Sequence, residues 1–205
     1  MVDFIDDVWR DLDRWSRMGA RPLELLAEPG AWAVFTYRLG RALRSLPRPL
    51  RVPLLALHSP LQAAVRALSG VTLPLEAEIG GGLWLAHTGG VKVSPAARLG
   101  RDCTLSRGAQ ILAGRRDAEL GAPFLGDRVY VGPGARVRGP IRIGNDAAVG
   151  AHAVAEADLP DRGLLGSEPM PALMAGRRRP PLAAQLRGAV RSLLPRPTQL
   201  LLREA

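Results

Sequence analysis

The chain has 205 residues, of which 47% are hydrophobic and 4% aromatic, and it carries a formal net charge of +9. This content predicts a globular protein with a core of small aliphatic side chains. Its most apolar tract, "LPRPLRVPLLALHSPLQAAVRAL", is interrupted by arginines and prolines. The tract falls short of the roughly twenty clean apolar residues that cross a bilayer, so no membrane span is expected.

Cysteine content and the N-terminal sequence indicate the compartment. Cys103 is the single cysteine, so the chain forms no intramolecular disulfide and offers no cysteine cluster for a metal. The acidic start, "MVDFIDDVWRDLDRW", lacks the basic and apolar regions of a signal peptide. We therefore expect a cytoplasmic protein, and the sequence reveals no metal site.

The positive charge comes almost entirely from arginine, since Lys92 is the one lysine. Such a charge can attract nucleic acid, an anionic membrane surface or a phosphorylated cofactor. No nucleic-acid recognition module or aromatic platform accompanies it, so we predict no nucleic-acid partner.

Residues 1–70 are predicted to form an α-helical domain. Apolar residues recur there at intervals of three and four, as in Phe4, Val8, Trp9 and Leu12. Prolines are expected to divide this region into short helices; they are Pro22, Pro29, Pro47, Pro49, Pro53 and Pro60.

Residues 71–160 show a period of six, which neither a helix nor a strand explains. A coil with three flat sides, each taking six residues and pointing one apolar side chain at the axis, does explain it. This first column is Leu73, Ile79, Leu85, Val93, Leu99, Leu105, Ile111, Leu125, Val131, Val137, Ile143, Val149 and Ala155.

A second inward column of small or aliphatic residues lies four positions after the first. It is Ala77, Leu83, Gly89, Ala97, Cys103, Ala109, Val129, Ala135, Ile141, Ala147 and Ala153. A glycine often follows the first column, and we expect these glycines to supply positive φ at tight corners; they are Gly80, Gly100, Gly126, Gly132, Gly144 and Gly150.

Two breaks in the period predict where the coil departs from regularity. Leu85 and Val93 are eight residues apart, which pushes the segment around His87 out of the wall. Ile111 and Leu125 are fourteen apart, which leaves "AGRRDAELGAPF" as a protruding loop. Such loops carry function more often than the scaffold does. The flat sides favour packing against copies of the chain, so a homotrimer with sites between subunits is expected.

Residues 161–205 form a C-terminal extension that contains "RRRPPLAAQLRGAVRSLLPRP". Its apolar residues at helical spacing beside arginines predict a basic amphipathic helix. Packing on the trimer is the favoured role, and contact with an anionic surface or partner is the alternative.

The hexads, "GLWLAHTGGVKV" and "LGDRVYVGPGARVRGPIRIGNDAAVGAHAVA" resemble the serine acetyltransferases of the left-handed β-helix acyltransferase superfamily. The segment "EPGAWAVFTYRLGRAL" is similar to the sequence that precedes the coil in that family, and the resemblance covers about residues 20–175. It implies an N-terminal helical segment followed by a left-handed parallel β-helix. It also implies acetyl-CoA as co-substrate, and a homotrimer or a dimer of trimers.

The resemblance places His87 at the position of the family's general base, which takes the proton of an acceptor hydroxyl as that hydroxyl attacks acetyl-CoA. A neutral imidazole, with a reference pKa of about 6.5, suits this role. The resemblance also places pantetheine against the backbone at Gly114, Pro133 and Ala151, although Pro133 has no N–H to offer. Arg115 and Arg116 are candidates for the phosphates, as are Arg177 to Arg179; a solvated charge run is the alternative.

Three departures from the family pattern concern the acceptor. Ala86 stands where the family has an aspartate before the histidine, and Gly121, Ala122 and Pro123 replace an Arg-His-Pro in the loop. The family's Asp-Pro is also absent from "RWSRMGARPLELL". An acetyltransferase with serine or another hydroxyl acceptor is the first hypothesis, with a sugar or natural product among the alternatives. A catalytically inactive paralogue that serves as a trimeric binding scaffold is the other.

The other two histidines and the cysteine are expected to have no catalytic role. His58 lies among leucines and is expected to be packed or at the surface, and His152 falls on an outward position of the repeat. Cys103 lies in the second inward column and is expected to fill the core.

Overall fold

The computed structural model describes residues 2–18, 27–116 and 119–166. Within these ranges the helices come first: α1 (Val2–Arg17), α2 (Pro29–Arg44) and α3 (Arg48–Ser69). Pro29 begins α2, where a main-chain N–H would have no acceptor within the helix, so the lack of an N–H in proline costs no hydrogen bond. Gly70 ends α3 in the left-handed conformation.

Short strands follow the helices. They are β1 (Glu78–Ile79), β2 (Trp84–Ala86), β3 (Lys92–Val93), β4 (Arg98–Leu99), β5 (Thr104–Ser106), β6 (Gln110–Leu112), β7 (Gly114–Arg116), β8 (Glu119–Gly121), β9 (Phe124–Leu125), β10 (Tyr130–Val131), β11 (Arg136–Arg138), β12 (Arg142–Ile143), β13 (Ala148–Val149), β14 (Val154–Ala155) and β15 (Leu164–Leu165).

The strands form three parallel sheets, which are the faces of a coil. Face I has the order β1-β4-β9-β12, face II β15-β13-β10-β5-β2, and face III β14-β11-β6-β3. Val131 pairs with Val149, three hexads later, so one turn of the coil takes three strands. The chain is therefore a parallel β-helix, with β7 and β8 forming an antiparallel hairpin outside the coil. Its left-handed winding stays a prediction.

Hydrophobic burial confirms the first column of the repeat, because all thirteen of its members are buried. The second column differs at two places: Ala153 is only partly buried, and Gly89 is half-exposed while Val91 is fully buried in its stead. Val91 precedes Val93 by two residues, as Ala97 precedes Leu99. The two extra residues therefore lie between Leu85 and Val91, not after it.

The prediction that the repeated glycines provide positive φ is wrong. Gly100 and its equivalents are absent from the residues with positive φ. A β-carbon on Gly100 would instead lie 2.6 Å from the backbone carbon and oxygen of Gly126 in the next coil. Close stacking of backbones is what requires glycine there. At the corner that contains Gly100, positive φ falls two residues later, on Asp102 and on its equivalents Arg128, Asp146 and Arg162.

A side-chain ladder beside that corner joins successive coils. The Asp127 carboxylate accepts a hydrogen bond from the Arg101 N–H at 2.7 Å. The Asn145 side chain accepts one from the Asp127 N–H at 2.9 Å, and Asp161 accepts one from the Asn145 N–H at 2.7 Å. Each coil therefore satisfies a main-chain donor of the coil before it.

The expectation that prolines divide the helical region into short helices is wrong for Pro53 and Pro60, which lie inside α3. A proline cannot donate to the carbonyl four residues earlier, which is Ala56 for Pro60. The Ser59 hydroxyl donates to the Ala56 carbonyl at 3.0 Å and replaces the missing bond. None of the described helices is long and apolar enough to cross a membrane.

The parallel strands continue past residue 160, because β15 pairs with β13. The basic segment predicted near the C-terminus lies outside the described residues, as does "MGARPLELL" except for its first residue, Met18.

A buried ion pair fastens the helices to the first coil. The Arg38 guanidinium donates to the Asp11 carboxylate at 2.8 and 3.2 Å, and to the main-chain oxygens of Ile79 and Gly80 at 2.5 and 2.6 Å. Asp11 also accepts hydrogen bonds from the N–H groups of Gly82 and Leu83 at 2.6 and 2.8 Å. One carboxylate thus joins α1, α2 and the coil.

Electrostatics of this pair follow from its burial. Desolvation acts to lower the pKa of Arg38, but the hydrogen bonds and charge of Asp11 outweigh it and raise that pKa. For Asp11, desolvation raises the pKa against the opposing effects of Arg38 and the two N–H donors. Both ions have lost water, so each depends on the other.

We predict that Arg38→Gln lowers the free energy of unfolding by about 3–5 kcal/mol, because it leaves the buried Asp11 carboxylate without its counter-ion. The control is Arg128→Gln, which breaks the exposed pair of Arg128 with Asp146 and should cost less than about 1 kcal/mol. Urea denaturation of both variants measures the difference. Equal losses would show that the Arg38 pair is no more important than a surface pair.

Candidate functional site

The turn after β2 carries His87 out of the coil. Ala86 ends the strand and is buried, whereas His87 is exposed with a φ of +64°. Gly89 and Gly90 also have positive φ, at +113° and +70°. A left-handed histidine followed by two such glycines reverses the chain within a few residues and leaves the imidazole in solvent.

Helix α2 and the second coil hold this turn from two sides. A β-carbon on Gly30, in the first turn of α2, would lie 2.7 Å from Cγ2 of Thr88 and 3.1 Å from the Trp15 ring. On the other side, the N–H of Arg107 donates to the Ala86 carbonyl at 3.1 Å, and the N–H of Gly108 donates to the Gly89 carbonyl at 2.8 Å. The position of His87 thus depends on both the helices and the coil.

Strand register places the candidate residues in one column at the corner after face II. Ala86 pairs with Ser106, and Val131 pairs with both Leu105 and Val149. The same register, continued around the corner, aligns Arg107, Pro133 and Ala151 in successive coils, and His87 projects from the two-residue insertion at the first-coil end of this stack. We call these four residues the corner column. Adjacent coils are about 4.8 Å apart, so the column is about 14 Å long.

Polar groups of the corner column are available to ligands. Among the described residues, neither the imidazole of His87 nor the guanidinium of Arg107 has a hydrogen-bond or ion-pair partner, and the Ala151 N–H has no acceptor. Pro133 has no N–H, but its carbonyl accepts from the His152 N–H at 2.8 Å. The column can therefore offer a base, a cation and one main-chain donor.

Gly114 lies apart from the corner column, at the base of the β7–β8 hairpin. A β-carbon there would be 2.8 Å from Cγ of Arg138, so only glycine lets the arginine side chain cross it. Arg115 is exposed, whereas Arg116 pairs with Asp158 at 3.0 Å. The main-chain N–H of Arg142 and the hydrogen bond from Arg116 lower the pKa of Asp158. Arg116 is therefore already neutralised within the chain.

The hairpin returns to the coil at the three positions where the sequence departs from the Arg-His-Pro pattern. Gly121 packs against Pro140, Ala122 packs against the hydrophobic core, and Pro123 is buried. None of the three side chains has a polar group. This part of the loop therefore supplies no acid, base or charge to a substrate.

The other residues that the sequence singled out lie outside the corner column. His58 is buried with Nε2 2.9 Å from the Thr36 carbonyl, and His152 is exposed. Cys103 is buried, and desolvation raises the pKa of its thiol to about 12, which keeps it protonated. Arg177 to Arg179 lie outside the described residues. No three histidine, cysteine or carboxylate side chains come together as a metal site in the described part of the chain.

A cleft of about 300 Å³ opens between α2, α3 and the first coil, and Tyr37, Gln62 and Thr72 are among its lining residues. It contains none of the corner column. His87 thus projects from the surface of a single chain.

Sequence reasoning missed Arg107 and the ion pair of Arg38 with Asp11. Arg107 follows the inward residue Leu105 by two positions, just as His87 follows Leu85. The period of six therefore contained a signal for Arg107. Asp11 had a weaker signal, one carboxylate on the apolar side of an amphipathic helix, near Val8 and Trp15.

The known proteins that are similar in sequence to this chain include serine acetyltransferases. The chain is 35% identical over 136 residues to the serine acetyltransferase of Helicobacter pylori, a match that covers 66% of this chain and 76% of that enzyme. It is 37% identical over 95 residues to the serine acetyltransferase of Mycobacterium tuberculosis, covering 46% of this chain and 42% of that one. No protein-family model matches the chain.

Solved structures give a consistent result. The crystal structure of Neisseria gonorrhoeae serine acetyltransferase superimposes with a TM-score of 0.67 at 27% identity, covering 82% of this chain and 64% of that one. Soybean serine acetyltransferase gives the same score and identity and is covered to 68%. Both enzymes are also known in complex with serine. This chain spans about two thirds of the length of each enzyme.

We predict that Gly30→Ala destabilises the protein by about 1–3 kcal/mol, because the new methyl group overlaps Cγ2 of Thr88. Thr88→Ser removes that carbon, so the double variant should recover part of the loss. The Trp15 contact at 3.1 Å limits the recovery. Thermal unfolding of the two single variants and the double variant measures it. Additive effects would mean that the α2–turn contact is not the cause.

Proposed function

Because the chain belongs to the serine acetyltransferase family, we propose that it transfers an acetyl group from acetyl-CoA to a hydroxyl acceptor with His87 as general base. The observation that carries this proposal is the corner column, in which an exposed, unpartnered histidine lies at one end of a stack that contains Pro133 and Ala151, two of the three positions expected to contact pantetheine. Family membership rests on the similarity to the H. pylori enzyme.

The chemistry is a direct attack within a ternary complex. A neutral imidazole nitrogen of His87 takes the acceptor proton while the hydroxyl oxygen bonds to the thioester carbonyl carbon. A main-chain N–H at the corner stabilises the resulting oxyanion. The C–S bond then breaks, and the imidazolium returns the proton to the CoA thiolate. The products are the O-acetyl acceptor and free CoA.

Acetyl-CoA is proposed to lie along the corner column, with its thioester near His87. The free N–H of Ala151 supports a main-chain hydrogen bond to pantetheine, whereas Pro133 contributes contact only. Gly114 and Arg115, at the hairpin, are proposed to border the same groove. The ion pair with Asp158 makes Arg116 the weaker candidate for the phosphates.

The acceptor is proposed to be serine or another hydroxyl compound. Serine bound to the Neisseria and soybean enzymes favours serine. The apolar side chains at Ala86, Gly121, Ala122 and Pro123 favour a changed acceptor, such as a sugar or natural product. They equally support the second candidate function, a non-catalytic trimeric scaffold, because polar groups that the family pattern has there are absent.

We predict that His87→Ala lowers the rate of thiol release from acetyl-CoA by about 10²–10⁴-fold, because the acceptor proton loses its base. The assay uses a panel of hydroxyl acceptors that includes L-serine. The control is His152→Ala, an exposed histidine outside the corner column, which should keep the wild-type rate. Undiminished turnover in the His87 variant would contradict the mechanism, and a folded wild type inactive on every acceptor favours the scaffold.

We predict that the protein sediments with three times the mass of the chain, or six times if two trimers join. The exposed position of His87 on a single chain supports sites completed by a neighbouring subunit. Sedimentation equilibrium at several concentrations measures the mass. A stable monomer would contradict the trimer.

A further inference from the structure

We infer that Arg107 is the specificity-determining residue for the acceptor and binds an oxyanion, a carboxylate or a phosphate, that the acceptor carries near its hydroxyl group. This inference rests on the proposed function, since it assigns the substrate class of the same site.

Register brings Arg107 next to the proposed base. Arg107 belongs to the coil after the one that carries His87, and adjacent coils are about 4.8 Å apart. Its N–H bonds to the carbonyl of Ala86, the residue before His87, at 3.1 Å. The two side chains therefore start from neighbouring coils at one corner.

The Arg107 side chain extends over the His87 turn. A β-carbon on Gly89 would lie 3.7 Å from Nε of Arg107 and 4.0 Å from its Cγ. The absence of a side chain at Gly89 keeps this space open, so the guanidinium lies over the segment that presents the imidazole.

The charge of Arg107 is not neutralised within the described part of the chain. Some other arginines of the coil have carboxylate partners: Arg98 pairs with Glu78, Arg116 with Asp158 and Arg128 with Asp146. No carboxylate lies within ion-pair distance of Arg107 among the described residues. Its planar fork is thus free to bind a carboxylate or phosphate through two parallel hydrogen bonds.

Acceptor recognition explains this cation better than CoA recognition does. The phosphates of acetyl-CoA are separated from the thioester by the whole pantetheine arm. A group one coil from the base is near the reacting hydroxyl instead. The hairpin positions Gly121, Ala122 and Pro123 offer no charge, so Arg107 supplies the cation that the loop lacks.

The test compares acceptors that share a three-carbon skeleton: glycerol as the neutral compound, D-glycerate as the carboxylate and glycerol 3-phosphate as the phosphate, with L-serine alongside. Arg107→Gln should lower kcat/KM for the anionic acceptors that the wild type uses by about 10–100-fold, mainly through KM. The value for glycerol should change less than about twofold. Whether glycerate or glycerol 3-phosphate shows the larger loss identifies the oxyanion.

Two further variants separate recognition from structure. Arg107→Lys keeps the charge without the fork and should recover part of the loss. Arg101→Gln removes an exposed arginine from the opposite end of β5 and should leave all acceptors unchanged. Equal losses on glycerol and the anions, or no loss on any acceptor, overturn the inference.

A binding measurement distinguishes failure of this inference from failure of the proposed function. If the wild type acetylates no acceptor, titration calorimetry with L-serine, D-glycerate and glycerol 3-phosphate in the presence of CoA tests Arg107 alone. Binding to the wild type that Arg107→Gln removes supports the inference. Binding that persists in the variant, or none to the wild type, overturns it.

Discussion

The Asp11 carboxylate is the constraint on which the arrangement of helices and coil depends. It receives the Arg38 guanidinium from α2 and two main-chain N–H groups from the first coil, while its own backbone belongs to α1. Buried ion pairs can often be replaced by apolar residues without loss of stability. That replacement is costly here, because it would leave the N–H groups of Gly82 and Leu83 without an acceptor. The pair therefore fixes geometry as well as charge.

This constraint reaches the candidate site through packing. Trp15 of α1 donates its ring N–H to the Leu83 carbonyl at 3.0 Å, and Gly30 of α2 lies against Thr88 in the His87 turn. The turn is consequently held between the helices and the second coil. The two-residue insertion thus presents His87 at a defined position, because α2 packs against the turn on one side and the second coil hydrogen-bonds to it on the other.

The sequence predicted the part of the fold that depends on hydrophobic period. All residues of the first column are buried as expected, and both breaks in the period are projections. It did not predict features that depend on contacts between distant residues. Local sequence alone predicts positive φ at Gly100, yet the backbone of the next coil is what excludes a side chain. Pro60 should end a helix by local rules, but Ser59 satisfies the free carbonyl. For the site, the sequence predicted His87, whereas Arg107 was recognised from the strand register, although the period of six already carried a signal for it.

The ladder of Asp127, Asn145 and Asp161 makes the coil modular. Each rung accepts the same main-chain donor in the preceding coil, so neighbouring coils are chemically interchangeable at this edge. Removing one whole coil, such as residues 127–144, would join Gly126 to Asn145 and let Asn145 take the place of Asp127 as the acceptor for the Arg101 N–H. The groove can therefore lengthen or shorten in evolution by whole coils, and a ligand-binding surface built on it changes length in equal steps without redesign of its core.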